Sequence, residues 1–223
     1  MTQLKKFQAQ TARPLPIIVL ADTSGSMSVN GKIEALNKAL QNMISAFAKE
    51  SRIKAELQVA IITFGESVET VLPLTPAHSI EHFSGLKASG RTPMGTAIQL
   101  AADLIENKQL IPERAYKPVV ILVSDGHPTD DWAGPLEQFK KGLYSSQATC
   151  FAMGIGSDAD LTLLKEFVND LEAPVFAGEH ASDIHHFFRA VTMSVTTHSR
   201  SVNPNQEKPK LEYIEESVED WEF

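Results

Sequence analysis

Short apolar runs rich in β-branched residues alternate along this chain with segments of helical period, and that alternation restricts the possible folds more than any other feature. The runs occupy residues 15–21, 57–64, 119–124 and 149–155, the length and composition of strands buried on both faces. Between most of them, apolar residues recur at three- and four-residue steps: Ile33, Leu36, Leu40, Met43, Ile44 and Phe47, then Met94, Ala97, Ile98, Ala101, Leu104 and Ile105. Trp132, Leu136, Phe139 and Leu143 repeat the pattern, as do Leu161, Leu164, Phe167 and Val168. Parallel strands need a crossover, and an amphipathic crossover helix covers a sheet face. The expectation is an α/β fold built on a mainly parallel sheet, with each helical stripe belonging to the core.

Local signals refine this. Asn30 and Gly31 form a turn before the first helix. Residues 68–72 follow the second strand after only Gly65, Glu66 and Ser67, which reads as a hairpin and one antiparallel edge strand that Pro73 and Pro76 end. A last amphipathic segment runs over 183–195 through Ile184, Phe187, Phe188, Val191 and Val195. Beyond it the proline- and charge-rich SRSVNPNQEKPK has no period, and LEYIEESVEDWEF alternates acidic and apolar residues. Disorder is the default for such a tail, with docking on a partner as the alternative. The expected organisation is an N-terminal extension over 1–13, one folded domain over 14–198 and an acidic tail over 199–223.

Composition removes several function classes. A chain of 223 residues with 43% hydrophobic and 22% charged content has enough apolar material for one well-filled core. A formal net charge of −8 provides no basic stripe to neutralise phosphates, so no nucleic-acid partner is expected. The single cysteine, Cys150, has no intramolecular partner and reads as a buried strand thiol. The opening MTQLKKFQAQTARPLP has no apolar run of signal length, so neither membrane insertion nor secretion is expected, and the chain is placed in the cytoplasm.

The chemistry concentrates where the first strand ends, in ADTSGSM. Asp22, Ser24 and Ser26 fall in the strand-to-helix loop at the carboxyl edge of the sheet, where open α/β sheets bind ligands. One carboxylate and two hydroxyls are hard oxygen donors, suited to Mg²⁺, Mn²⁺ or Ca²⁺ and poorly suited to Zn²⁺ or Cu⁺. Two further pieces reach the same edge: Thr92 in ASGRTPMG, directly before a helix, and Asp125 in ILVSDG, at the end of the next long apolar strand. Each segment alone also reads as local structure. Asp22 with its serines suits a capped turn, Thr92 before Pro93 suits a helix N-cap, and Asp125-Gly126 is an ordinary turn pair. Asp130, Asp131 and Trp132 read as a capped helix start with a core tryptophan, with direct partner contact as the alternative.

Together the DTSGSM, Thr92 and Asp125 segments resemble the three parts of the metal-ion-dependent adhesion site (MIDAS) of von Willebrand factor A domains, over residues 15–195. The resemblance implies a doubly wound, mainly parallel six-stranded sheet with one antiparallel edge strand and helices on both faces. It implies that Asp22, Ser24 and Ser26 hold one divalent cation, that Thr92 and Asp125 complete or approach the shell, and that an acidic side chain of a protein partner fills the remaining position. Within the family, KIEALNKAL, GRTPMGTAI and SDGHPTDDW are similar to the bacterial TerY-like branch. That similarity implies a role in tellurium resistance and stress response, with a kinase and a phosphatase as partners.

Other chemistries fit less well. Residues 25–32, GSMSVNGK, depart from a phosphate loop by one residue of spacing and by Ile33 in place of the hydroxyl residue. An aspartyl phosphotransferase would want a second carboxylate where Ser24 stands. The histidines form no HExxH-like pair, and His127, next to Asp125, reads as a residue of the site's rim. The expectation is therefore a non-enzymatic docking module. A metal-dependent phosphoester hydrolase, or self-association through the acidic tail, are the alternatives.

Overall fold

The computed structural model describes residues 12–50, 54–168, 170, 173–201, 205 and 208–211. Strands β1 (Arg13–Asp22), β2 (Ala55–Phe64), β3 (Val68–Pro76), β4 (Val119–Ser124), β5 (Thr149–Ile155) and β6 (Phe176–Gly178) form one sheet in the order β3-β2-β1-β4-β5-β6. All neighbours are parallel except β2 and β3. Helices α1 (Lys32–Ala48), α2 (Met94–Glu106), α3 (Ala133–Lys141) and α4 (Leu161–Val168) lie between strands, and α5 (Ala181–Arg200) follows the last one.

The period-two alternation of a strand divides β1 between two cores. Leu15, Ile17, Val19 and Ala21 face α1 and α5, while Ile18 and Leu20 face α2, α3 and α4. The fold is thus doubly wound. The chain leaves β1 through α1 to β2 on one side, then returns through α2 to β4 on the other, so winding reverses between β1 and β4. In open α/β sheets such a reversal places the ligand site at the carboxyl ends of the two strands.

Several local expectations change. The edge strand does not end at Pro73: β3 continues to Pro76, with its pairing to β2 shifting register between Val59 and Ile61. Proline is tolerated there because an edge strand leaves one row of backbone groups unpaired and a bulge absorbs the missing donor. Leu143 is 70% exposed and lies past the end of α3, and Leu161 is 46% exposed at the start of α4. The three-residue β6 is too short to leave a periodic signature, and among the described residues its strand pairing comes from β5 alone. Asn30 and Gly31 take the expected turn, with φ of 58° and 72°.

Cys150 is buried in β5, and burial pushes its thiol up to about 12. At the N-terminal edge, β1 begins at Arg13, where the extension was expected to end. After α5, Pro209 is buried and Leu211 packs against the core that α1 and α5 cover. The acidic stretch 212–223, like residues 1–11, lies outside the described residues. Among the described residues no helix is long and apolar enough to cross a membrane.

Candidate functional site

The loop after β1 is set by backbone contacts on both sides. Thr23 N donates to Phe64 O at 2.9 Å, Ser89 N donates to Thr23 O at 2.7 Å, and Gly25 N donates to Gly90 O at 3.1 Å. Gly90 has φ of 83°, and a Cβ there would lie 2.4 Å from the Glu66 backbone, so only glycine lets this segment approach. Met27, fully buried, pins the short 3₁₀ turn Gly25–Ser28 into the core.

The side chains form one continuous cluster. Asp22 Oδ1 accepts from Ser24 N at 2.8 Å, and Asp22 Oδ2 accepts from Ser124 Oγ at 2.6 Å. Ser24 Oγ lies 3.0 Å from Ser26 Oγ, and Ser26 Oγ donates to Asp125 Oδ1 at 2.7 Å. Lys32 Nζ donates to Asp125 Oδ2 at 2.6 Å. Asp22, Ser24 and Asp125 are buried, while Ser26 stands exposed at the mouth. Thr92 is also buried, and its hydroxyl lies 3.9 Å from where a Cβ on Gly126 would sit, which places it beside the Asp125 loop.

The residues singled out from sequence, Asp22, Ser24, Ser26, Thr92 and Asp125, therefore share one edge of the sheet. Thr92 does so by a route other than the N-cap. Helix α2 starts at Met94, and its first turn is capped from a distance: Asp130 accepts from Gly95 N at 2.9 Å, Thr96 N at 2.8 Å and Thr96 Oγ1 at 2.8 Å. Thr92 contributes its backbone instead, its O accepting from Thr129 N at 2.9 Å and its N donating to Thr129 Oγ1 at 3.1 Å. Asp130 consequently caps α2 and not the following α3, whose N-cap position is Trp132. Replacing it, as Asp130→Ala, is expected to cost about 1–2 kcal/mol of stability. Urea unfolding would measure this, and an unchanged midpoint would mean that the cap contributes nothing.

Two members of the cluster were not visible as site residues. Ser124 is brought to Asp22 by the β1–β4 register, in which Ala21 faces Val123. Lys32 belongs to the rejected phosphate-loop pattern, and its ammonium turns to Asp125. His127 points elsewhere, with a 70% exposed side chain 3.2 Å from Asp160.

The electrostatics of the two carboxylates differ. Asp22 is pushed up to about 6, chiefly by burial and with a contribution from the Asp125 charge, against the lowering effect of its hydrogen bonds from Ser124 and Ser24. Among the described residues no cationic side chain pairs with Asp22, whereas Lys32 pairs with Asp125. A buried carboxylate edged by hydroxyl oxygens and lacking a counter-cation has the donor chemistry that a hard divalent cation fits.

The model of the von Willebrand factor type A domain matches residues 17–127. The doubly wound fold and this match identify a von Willebrand factor A domain in the chain. In sequence it is 27% identical over 186 residues to the protein Rv2850c of Mycobacterium tuberculosis, covering 78% of this chain and 28% of that protein. The chain thus spans little more than a quarter of that relative. In structure it is similar to proximal thread matrix protein 1 of the mussel byssus with a zinc-occupied MIDAS motif, at TM-score 0.64 and 18% identity, covering 83% of this chain and 48% of that one. It is also similar to the manganese-loaded TRAP protein of Plasmodium vivax, at TM-score 0.56 and 17% identity, covering 83% and 74%.

Proposed function

We propose that this domain is a metal-dependent docking module in which Asp22, Ser24 and Ser26 hold one divalent cation, with Thr92 and Asp125 at the edge of its shell. The observation that carries the proposal is the buried, unneutralised Asp22 carboxylate joined to two serine hydroxyls and a second carboxylate at the reversal point of the sheet. Mg²⁺ is the proposed ion, and the zinc and manganese of the two structural relatives support a divalent cation in general. A dication facing so few carboxylates keeps positive charge and open positions, which favour a carboxylate from a protein partner. The cluster itself supplies docking chemistry, so the reading is non-enzymatic.

The TerY-like resemblance of the α1, Thr92 and Asp125 segments extends the proposal. The domain would then be an adaptor in a cytoplasmic stress and tellurium-resistance assembly, with a kinase and a phosphatase as partners.

Calorimetric titration with Mn²⁺ and Mg²⁺ tests the core of this reading, with acetate then added as a carboxylate probe. Wild type is expected to bind the ion, and acetate only in its presence. Asp22→Ala removes a charged donor and should weaken binding by more than about a hundredfold, beyond the usual loss for an outer-shell residue. Equal binding by both proteins would refute the site. Turnover of p-nitrophenyl phosphate that disappears in Asp22→Asn would establish the hydrolase alternative in its place.

A further inference from the structure

We infer that Lys32 is a built-in cation that makes this site weak for metal and selective for an anionic ligand, a role that rests on the docking reading above. Lys32 opens α1, and its ammonium reaches the carboxyl ends of β4 and β5: it lies 2.6 Å from Asp125 Oδ2 and 3.8 Å from where a Cβ on Gly156 would sit. Its side chain is only 15% exposed, and that of Asp125 is fully buried. This pair is not a loose surface contact, and water screens it little.

Both oxygens of Asp125 are thereby engaged, Oδ1 by Ser26 Oγ at 2.7 Å and Oδ2 by Lys32 Nζ. Among the described residues Asp22 receives only neutral donors, from Ser24 and Ser124. The two carboxylates are therefore divided in function. Asp125 is already neutralised by a tethered charge, and Asp22 carries the site's uncompensated negative charge. With two carboxylates and one ammonium, the cluster has a formal charge of −1 where a site without Lys32 would have −2.

A dication then meets half the opposing charge, and once bound it leaves the cluster at +1 instead of neutral. Lys32 should thus oppose the first step and assist the second. The metal binds less tightly, while a carboxylate arriving at the loaded site binds more tightly. A partner's acidic side chain would in this way stabilise the metal that recruits it, making occupancy of metal and partner mutually dependent.

The two opposite signs separate this role from a merely structural ion pair. Titration of Mn²⁺, followed by acetate titration of the Mn²⁺-loaded protein, is to be run on wild type, Lys32→Met, Lys32→Gln and Lys32→Arg, with circular dichroism as the check on folding. Both neutral variants are expected to bind Mn²⁺ about tenfold tighter and to bind acetate several-fold more weakly, with Lys32→Arg close to wild type. Unchanged or weaker Mn²⁺ binding in the folded neutral variants would overturn the inference while leaving the docking reading standing. So would acetate affinity that does not fall. Absence of Mn²⁺ binding in wild type would overturn both.

Discussion

Gly95→Ala is expected to destabilise the folded chain by about 3 kcal/mol or more and to lower Tm by about 10 °C. Position 95 lies in the first turn of α2, where alanine would ordinarily be the better helix former by about 1 kcal/mol. Here a Cβ would lie 2.0 Å from Asp131 O and 2.7 Å from Trp132 Cα. Those are backbone atoms, which cannot rotate aside, so the helix and the loop after β4 would have to separate. Separation would also strain the Asp130 cap on Gly95 N and Thr96 N, and with it the Thr92–Thr129 backbone pairing. Thermal melts followed by circular dichroism give the answer, and a variant that melts at or above wild type would show that the close approach is not required.

Acidity should set how well the site holds an ion, through Asp22. Folding raises this carboxyl from its ordinary 3.8 to about 6, so the protonated form favours the folded chain. In the metal-free protein that contribution is complete below pH 3.8 and is lost as pH rises through about 6. Across that window it amounts to the order of 3 kcal/mol. A divalent cation competes with the same proton, so its affinity should fall about tenfold for each pH unit below 6 and level off above it. Mn²⁺ titrations near pH 5, 6 and 7 would show the slope. Saturating Mn²⁺ should also abolish the rise in Tm expected of the metal-free protein on mild acidification. A Mn²⁺ affinity independent of pH across this range would remove Asp22 from the role proposed for it.

Much of the fold could be read from residue pattern because its strands and helices bury apolar faces of regular period. The continuous runs of β4 and β5 coincide with the strands, and the stripe from Ile33 to Phe47 lies on the buried face of α1. Where burial is partial the pattern fails. Leu143 and Leu161 continue helical stripes and yet are exposed, because hydrophobic spacing specifies a face and not where the neighbouring element ends. Strand β6 is too short to show any period, and Pro73 misleads because an edge bulge, which depends on pairing, accommodates it.

The same division holds at the candidate site. Asp22, Ser24 and Ser26 are close in the chain, and the spacing of the strands sufficed to bring Thr92 and Asp125 to their edge of the sheet. What each polar group is paired with was decided in three dimensions. Asp130 reads as the cap of the helix that follows it and instead caps α2, while Ser124 meets Asp22 through the β1–β4 register. Lys32, which in sequence belongs only to an ill-fitting phosphate-loop pattern, neutralises Asp125 and not Asp22. Local spacing determines which groups arrive at the edge, since strand and helix periods are short-range. Which carboxylate keeps its charge uncompensated depends on burial and on partners dozens of residues away, and only the tertiary structure supplies those.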